Sequence, residues 1–179
     1  MNRCRLYSLS LLLLAAGAAP VAAQSSPLRM TVTRCLKENR GPATRTPDGA
    51  REEPLLDRVY YTIELANSTS TTLKDVAVKW AVLVQQRVTG IKTVVEGESR
   101  CALAFGERRR LDTDIIELSG VRTRNADGSV GESKSQILGY AVEVYVGGRL
   151  VAAEAFPADT PVRIKEVKGG QAEPGVHRF

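Results

Sequence analysis

The chain has 179 residues, of which 43% are apolar and only 5% aromatic, with 25 basic against 20 acidic residues for a formal charge of +5. That length bounds it to one domain with a core of its own. The charge excess is too small for the basic stripe of a nucleic-acid binder, so no nucleic acid is expected as a partner.

The first residues, MNRCRLYSLSLLLLAAGAAPVAAQSS, combine Arg3 and Arg5, an apolar run from Leu9 to Ala19, and the small residues Val21-Ala22-Ala23. This is the order of a cleavable signal peptide, read here as residues 1–23. Eleven residues of helix reach only about 16 Å, against roughly 30 Å of membrane hydrocarbon, so no transmembrane anchor is expected after cleavage. A lipoprotein would carry a cysteine after the cut; Gln24 stands there, and Cys4 precedes the apolar run. A periplasmic or secreted location follows. Two basic residues leave with the signal, and the remaining 23 against 20 acidic residues give the mature chain +3.

Cys35 and Cys101 are the cysteines left, an even pair in a compartment where disulfides persist. A Cys35–Cys101 bridge enclosing 65 residues is predicted, worth roughly 4 kcal/mol by chain entropy; the alternative is two reduced, buried thiols. Neither the spacing of a redox motif nor a metal-binding set accompanies them.

Along the mature chain, residues 28–36 read as a first strand. Residues 37–56, with Pro42, Pro47, Pro54, Gly41 and Gly49 among charges, read as a long loop. Val59, Tyr61, Ile63 and Leu65 then alternate with polar positions, and so do Val76, Val78, Trp80, Val82 and Val84 after the turn NSTSTT. Period two predicts two strands forming a hairpin, with Trp80 a core anchor. Shorter strands follow in IKTVVEG, SRCALAFG and residues 108–118. Residues 119–136 lack an apolar stripe and read as a second loop. Leu138, Tyr140, Val142, Val144 and Val146 share a face, and Gly147-Gly148 turns the chain into RLVAAEAF. Residues 161–179 read as a flexible tail behind a β domain spanning 24–160. Seven to eight strands without an amphipathic helix predict an all-β, two-sheet antiparallel sandwich, with a closed barrel as the competitor.

The segment YTIELANSTSTTLKDVAVKWAVLV (residues 61–84) resembles immunoglobulin-like modules of exported bacterial proteins: an apolar strand, an Asn at the turn, then L-x-D-V-x-V. The resemblance implies an immunoglobulin-like β-sandwich. It departs from antibody-type domains, where Trp follows the first bridging Cys closely; Cys35 and Trp80 are 45 positions apart, so no bridge and no functional residue carries over.

Catalytic, metal and cofactor residues are not predicted. His177, the one histidine, is the third residue from the end. Asp112 and Asp114 would share a strand face, as ordinary solvated faces also allow. Asn125 to Glu132 alternates oxygen-bearing residues as calcium loops do, but Gln136 stands where a bidentate Glu is needed. Asn67-Ser68-Thr69 fits a glycosylation acceptor, with turn formation the simpler role. The candidate binding surface is Tyr60, Tyr145 and the cluster Arg108, Arg109 and Arg110. The reading is a non-enzymatic exported interaction or envelope-associated module that meets an unknown protein or an envelope glycan, through loops 37–56 and 119–136 or a sheet edge. The alternatives are a glycan or anionic-polymer binder and, behind it, a small extracytoplasmic hydrolase.

Overall fold

The computed structural model describes residues 27–170; the expected signal peptide, Cys4 and His177 lie outside the described residues. Ten strands and one helix follow in order: β1 Leu28–Arg40, β2 Thr44–Arg45, β3 Arg51–Asn67, β4 Leu73–Gln85, β5 Lys92–Leu103, β6 Arg108–Asp112, β7 Ile116–Arg124, β8 Val130–Lys134, β9 Gln136–Val146, β10 Arg149–Phe156 and α1 Thr160–Gly170. They form two antiparallel sheets. One runs β1-β3-β7-β8, with β2 and β6 also paired to β3, and the other runs β10-β9-β4-β5. The all-β sandwich expected from the alternation is therefore the fold.

The core is the set the alternation singles out. Val59, Tyr61, Ile63 and Leu65 of β3 face Val76, Val78, Trp80, Val82 and Val84 of β4, with Leu103, Ile116, Leu118, Val142 and Val144 around them. Tyr61 and Tyr140 meet across the core with ring centroids 4.8 Å apart.

Three expectations are corrected. β3 and β4 are not a hairpin: they belong to different sheets. Both carry one apolar stripe, and the chain buries the two stripes against each other across the core instead of side by side. Asn67, at the crossover, ties the turn with Nδ2 donating to the carbonyls of Thr71, Leu103 and Ala104 at 2.7, 3.2 and 2.9 Å. Secondly, the expected tail begins with α1, whose Ile164 is buried over the outer face of the four-stranded sheet. Gly139 makes room for it, since a Cβ there would lie 2.9 Å from the Phe156 carbonyl and 3.0 Å from Thr160 Cγ2. Finally, Leu138 leaves the inward stripe. The ladder shifts between Leu83 and Val84, so Ile137 pairs with Val84 and packs on the core instead.

The largest departure concerns the two expected loops. Residues 37–56 and 119–136 are mostly strand, paired with one another: Arg51 to Val59 run antiparallel to Arg124 to Ile116, β2 pairs with Glu52 and Arg51, and β8 pairs with Gly120 to Arg124. Together they make a sheet arm that adds nothing to the hydrophobic core cluster. Two matching turns close it. Gly49 N–H donates to Thr46 O and Thr46 N–H to Ala50 O; Gly128 N–H donates to Asn125 O and Asn125 N–H to Ser129 O. Both glycines have φ +85°, the left-handed conformation a three-residue hairpin turn requires. IKTVVEG and SRCALAFG, expected as two strands, are the single strand β5; with β2 and β8 added, and the edge of 108–124 split into β6 and β7 by a bulge at Thr113, ten strands replace the seven or eight expected.

Pro54 is accommodated inside β3 because a residue of an antiparallel strand points its N and C=O the same way. Its carbonyl accepts from Gly41, so its missing N–H faces the side on which β1 has just ended. The ladder to β7 is untouched.

Candidate functional site

The residues chosen as a binding surface are not brought together. Tyr60 pairs with Cys35 and so lies on the outer face of the six-stranded sheet, whereas Tyr145 pairs with Ala77 on the outer face of the other sheet. The sandwich separates them. Tyr145 sits under the Lys79 ammonium, 5.2 Å from the ring centroid, and donates to Glu143 at 2.7 Å.

The three arginines split by parity, as strand geometry requires. Arg108 and Arg110 pair with Ala66 and Glu64 on the outer face that also carries Tyr60, and Arg110 alone of them interacts with that ring; Arg109 pairs with Leu65 on the opposite side. Two are neutralised locally: Arg109 binds Glu107 at 2.7 Å and Arg110 binds Asp112 at 3.2 Å. Thr62 donates to Asp112 at 2.7 Å. That hydrogen bond first, then the Arg110 guanidinium, holds the Asp112 carboxyl below its ordinary value. Asp114 does not join it, because β6 ends at Asp112 and the bulge intervenes. Thr113 there accepts from Tyr61 N–H with its hydroxyl, and its own N–H donates to Tyr61 O.

The expected disulfide is absent: Cys35 and Cys101 are free thiols. Cys35 points outward from the six-stranded sheet, 3.6 Å from Thr62 Oγ1, while Cys101 pairs with the buried Val76 and points inward from the four-stranded sheet. Packed sheets stand about 10 Å apart, and a bridge needs Cα atoms within about 7 Å and side chains directed at each other. Burial is the leading cause that raises the Cys101 thiol above its usual value.

Asn125, Asp127 and Ser129 form a turn and not a cation cradle. Asp127 Oδ1 accepts from both Ser129 N–H and Ser129 Oγ, at 2.8 and 2.7 Å. Among the described residues no group of three His, Cys, Asp or Glu is placed to hold a metal, and no helix is long and apolar enough to cross a membrane. Asn67, buried at 4% exposure, has its side chain fully committed to the crossover.

Several concavities of the described residues could hold ligand groups, and two of them exceed 500 Å³. The first, about 570 Å³, lies between α1 and the outer face of the four-stranded sheet, floored by Ala81 and Ala141. Its rim alternates cations and carboxylates, and Lys168 of α1 closes an ion pair to Glu96. The second, about 520 Å³, opens on the arm between Arg40, Gly41, Pro42, Ala43, Arg51, Glu53, Arg122 and Arg124. Sequence reading missed these arginines because their segments were taken as loops. The signal that exposes them is the pair of turn tetrapeptides, TPDG at 46–49 and NADG at 125–128, each centred between alternating stretches.

No protein-family model and no curated protein sequence matches the chain. Several solved structures share a partial likeness. One is the X-ray structure of Northeast Structural Genomics Consortium target SoR45, 11% identical over 72% of this chain and 85% of that one, with TM-score 0.28. Another is a crystal structure from Akkermansia muciniphila, 12% identical over 72% of this chain and 70% of that one, with TM-score 0.26.

Proposed function

We propose that this chain is an exported, non-enzymatic interaction module of the bacterial envelope, built on a sandwich of the immunoglobulin-like kind, and that its contact surface is the arm. One observation carries the reading. Two polar segments that stay outside the main hydrophobic cluster and bury only Ala50 and Leu55 are nevertheless built as paired strands, closed by two turns of the same geometry and fastened at the base by an ion pair from Lys134 to the buried Asp57 at 3.3 Å. Ordering backbone costs free energy at every residue, and an ordered surface with so little core to bury finds its use in contact with something else.

The test is site-specific photo-crosslinking in an exporting bacterium. A crosslinker at Thr123 on the arm is expected to give adducts with envelope material, and one at Thr31 on the sandwich none. The mature protein is expected in the periplasmic or secreted fraction with Gln24 at its amino end. Adducts at Thr31 alone, or a chain retained unprocessed in the cytoplasm, would overturn the reading.

A further inference from the structure

The arm carries a row of arginines that no ion pair among the described residues neutralises. Arg45 of β2 pairs in register with Arg51 of β3, and Arg51 pairs with Arg124 of β7, so three guanidinium groups stand side by side on three neighbouring strands. Like charges placed directly opposite on adjacent strands repel. Among the described residues, Arg45, Arg51, Arg122 and Arg124 form no ion pair, unlike Arg58, Arg100, Arg109 and Arg110; Arg29, Arg34, Arg87, Arg108, Arg149 and Arg163 form none either, and what distinguishes the arm is that its arginines stand in register. The next positions on this face are Glu53, Arg122 and Glu132, followed by Arg40 and Lys134. Of the nearby carboxylates, Glu132 and Asp57 are taken by Lys134, and Glu38 lies 4.0 Å from Arg40. Glu53 is the one acid that lines the arm's concavity beside four arginines.

We propose that this row is a binding site for a glycan chain bearing phosphate or sulfate groups. The inference rests on the arm being the contact surface and adds the chemistry of what it contacts. Strands lie about 4.8 Å apart, so the row offers three cations at that pitch over about 10 Å, a match for closely spaced anionic groups along a polymer. Guanidinium forks take the oxygens of phosphate and sulfate two at a time. Neither 37–58 nor 116–136 contains an aromatic residue. No aromatic ring there stacks on a nucleobase, and the one exposed large apolar side chain of the arm among the described residues, Val130, is too short a wedge for a lipid surface. Recognition falls to charge and spacing.

The test titrates labelled heparin, a sulfated glycan, into the full mature chain. The wild type is expected to bind with an affinity that falls as salt rises. The triple variant Arg45→Gln, Arg51→Gln, Arg124→Gln is expected to lose about tenfold or more. A control triple with the same charge loss on the sandwich, Arg29→Gln, Arg108→Gln, Arg149→Gln, is expected to stay within about twofold of wild type. Because the row is self-repelling, the arm triple melts at the wild-type temperature or above, which separates lost binding from lost fold. Equal losses in both triples, absence of heparin binding, or tighter arm-dependent binding to single-stranded DNA or phosphatidylglycerol vesicles overturns the ligand assignment. None of these outcomes touches crosslinking at Thr123, so the arm reading is judged separately.

Discussion

Trp80 of β4 and Gly97 of β5 stand directly opposite each other, and the indole fills the space that a side chain at position 97 would need. A Cβ built on Gly97 would lie 2.6 Å from Trp80 Cε2 and 2.9 Å from Nε1. The ring has nowhere to go, since Trp80 is only 7% exposed and packed among the core valines. Gly97→Ala is therefore expected to destabilise by about 1–3 kcal/mol, the usual cost of overpacking, measured as a lower urea midpoint. A variant as stable as wild type would show that the indole does not cover Gly97.

Asn67 should be the most sensitive polar position. Its Nδ2 serves three carbonyls while Oδ1 accepts from Thr69 N–H and Oγ1 at 2.9 and 2.7 Å. Asn67→Ala leaves buried carbonyls without donors, and a loss of about 2–3 kcal/mol is expected. Asn67→Asp, which replaces the donor with a charge facing those carbonyls, should do worse, so the order of the two variants in denaturant titration is the check.

Stability should decline in alkali from the neighbourhood of Tyr140. Burial first, then its hydrogen bond to Glu154 at 2.7 Å, raises the Tyr140 phenol above its ordinary value of 10.0. The raised value belongs to the folded state, so the stabilisation is complete below pH 10.0 and drains away as pH climbs past it, where the unfolded chain ionises first. Comparing denaturant midpoints at about pH 8 and about pH 11, Tyr140→Phe should show a shallower fall than wild type. Burial also raises Tyr61, so part of the slope remains. An unchanged slope would remove Tyr140 from the account.

Two thiols, not one bridge, are expected in the purified protein. Mass measurement after alkylation under denaturing conditions should find both Cys35 and Cys101 modified without prior reductant. Cys35→Ser should change stability little, because its side chain lies outside the core. A bridged, unmodified pair would mean that one sheet face is placed differently from the arrangement described.

The legible parts of the fold are those in which one residue pattern admits one solution. The alternation around Tyr61 and Trp80 has a single buried face, and Gly147-Gly148, both at positive φ, closes β9 on β10 as a two-residue turn must. What the pattern lacked was information on partners. A single apolar stripe says which side faces the core and is silent on whether the next stripe lies beside it or across from it, which is how β3 and β4 were taken for a hairpin. The arm was hidden for a different reason. Pro54 and the run of charges argue against a strand only if the proline interrupts a ladder and the charges face a core; Pro54 lies where β1 has just ended, and no side chain of residues 51–54 is buried. α1 was missed because helix formation there depends on Thr160 packing over Gly139 and Ile164 being buried against the sheet, a tertiary opportunity that a window of sequence does not contain.

β3 runs unbroken from Arg51 to Asn67, so the alternation that buries Val59 and Tyr61 is the same one that sets Arg51 on its side of the arm. Side-chain direction is thereby a matter of counting. Removing one residue between Arg51 and Val59 would swing Arg51 to the far side, parting it from Arg45 and Arg124. Removing two, with two from β7 to match, would draw the arginine row inward by about 7 Å and leave its facing intact. The arm is in this sense a ruler graduated in pairs of residues. Homologous chains with longer or shorter arms should differ by even numbers on both β3 and β7, and an odd difference should come with a new bulge that restores the count.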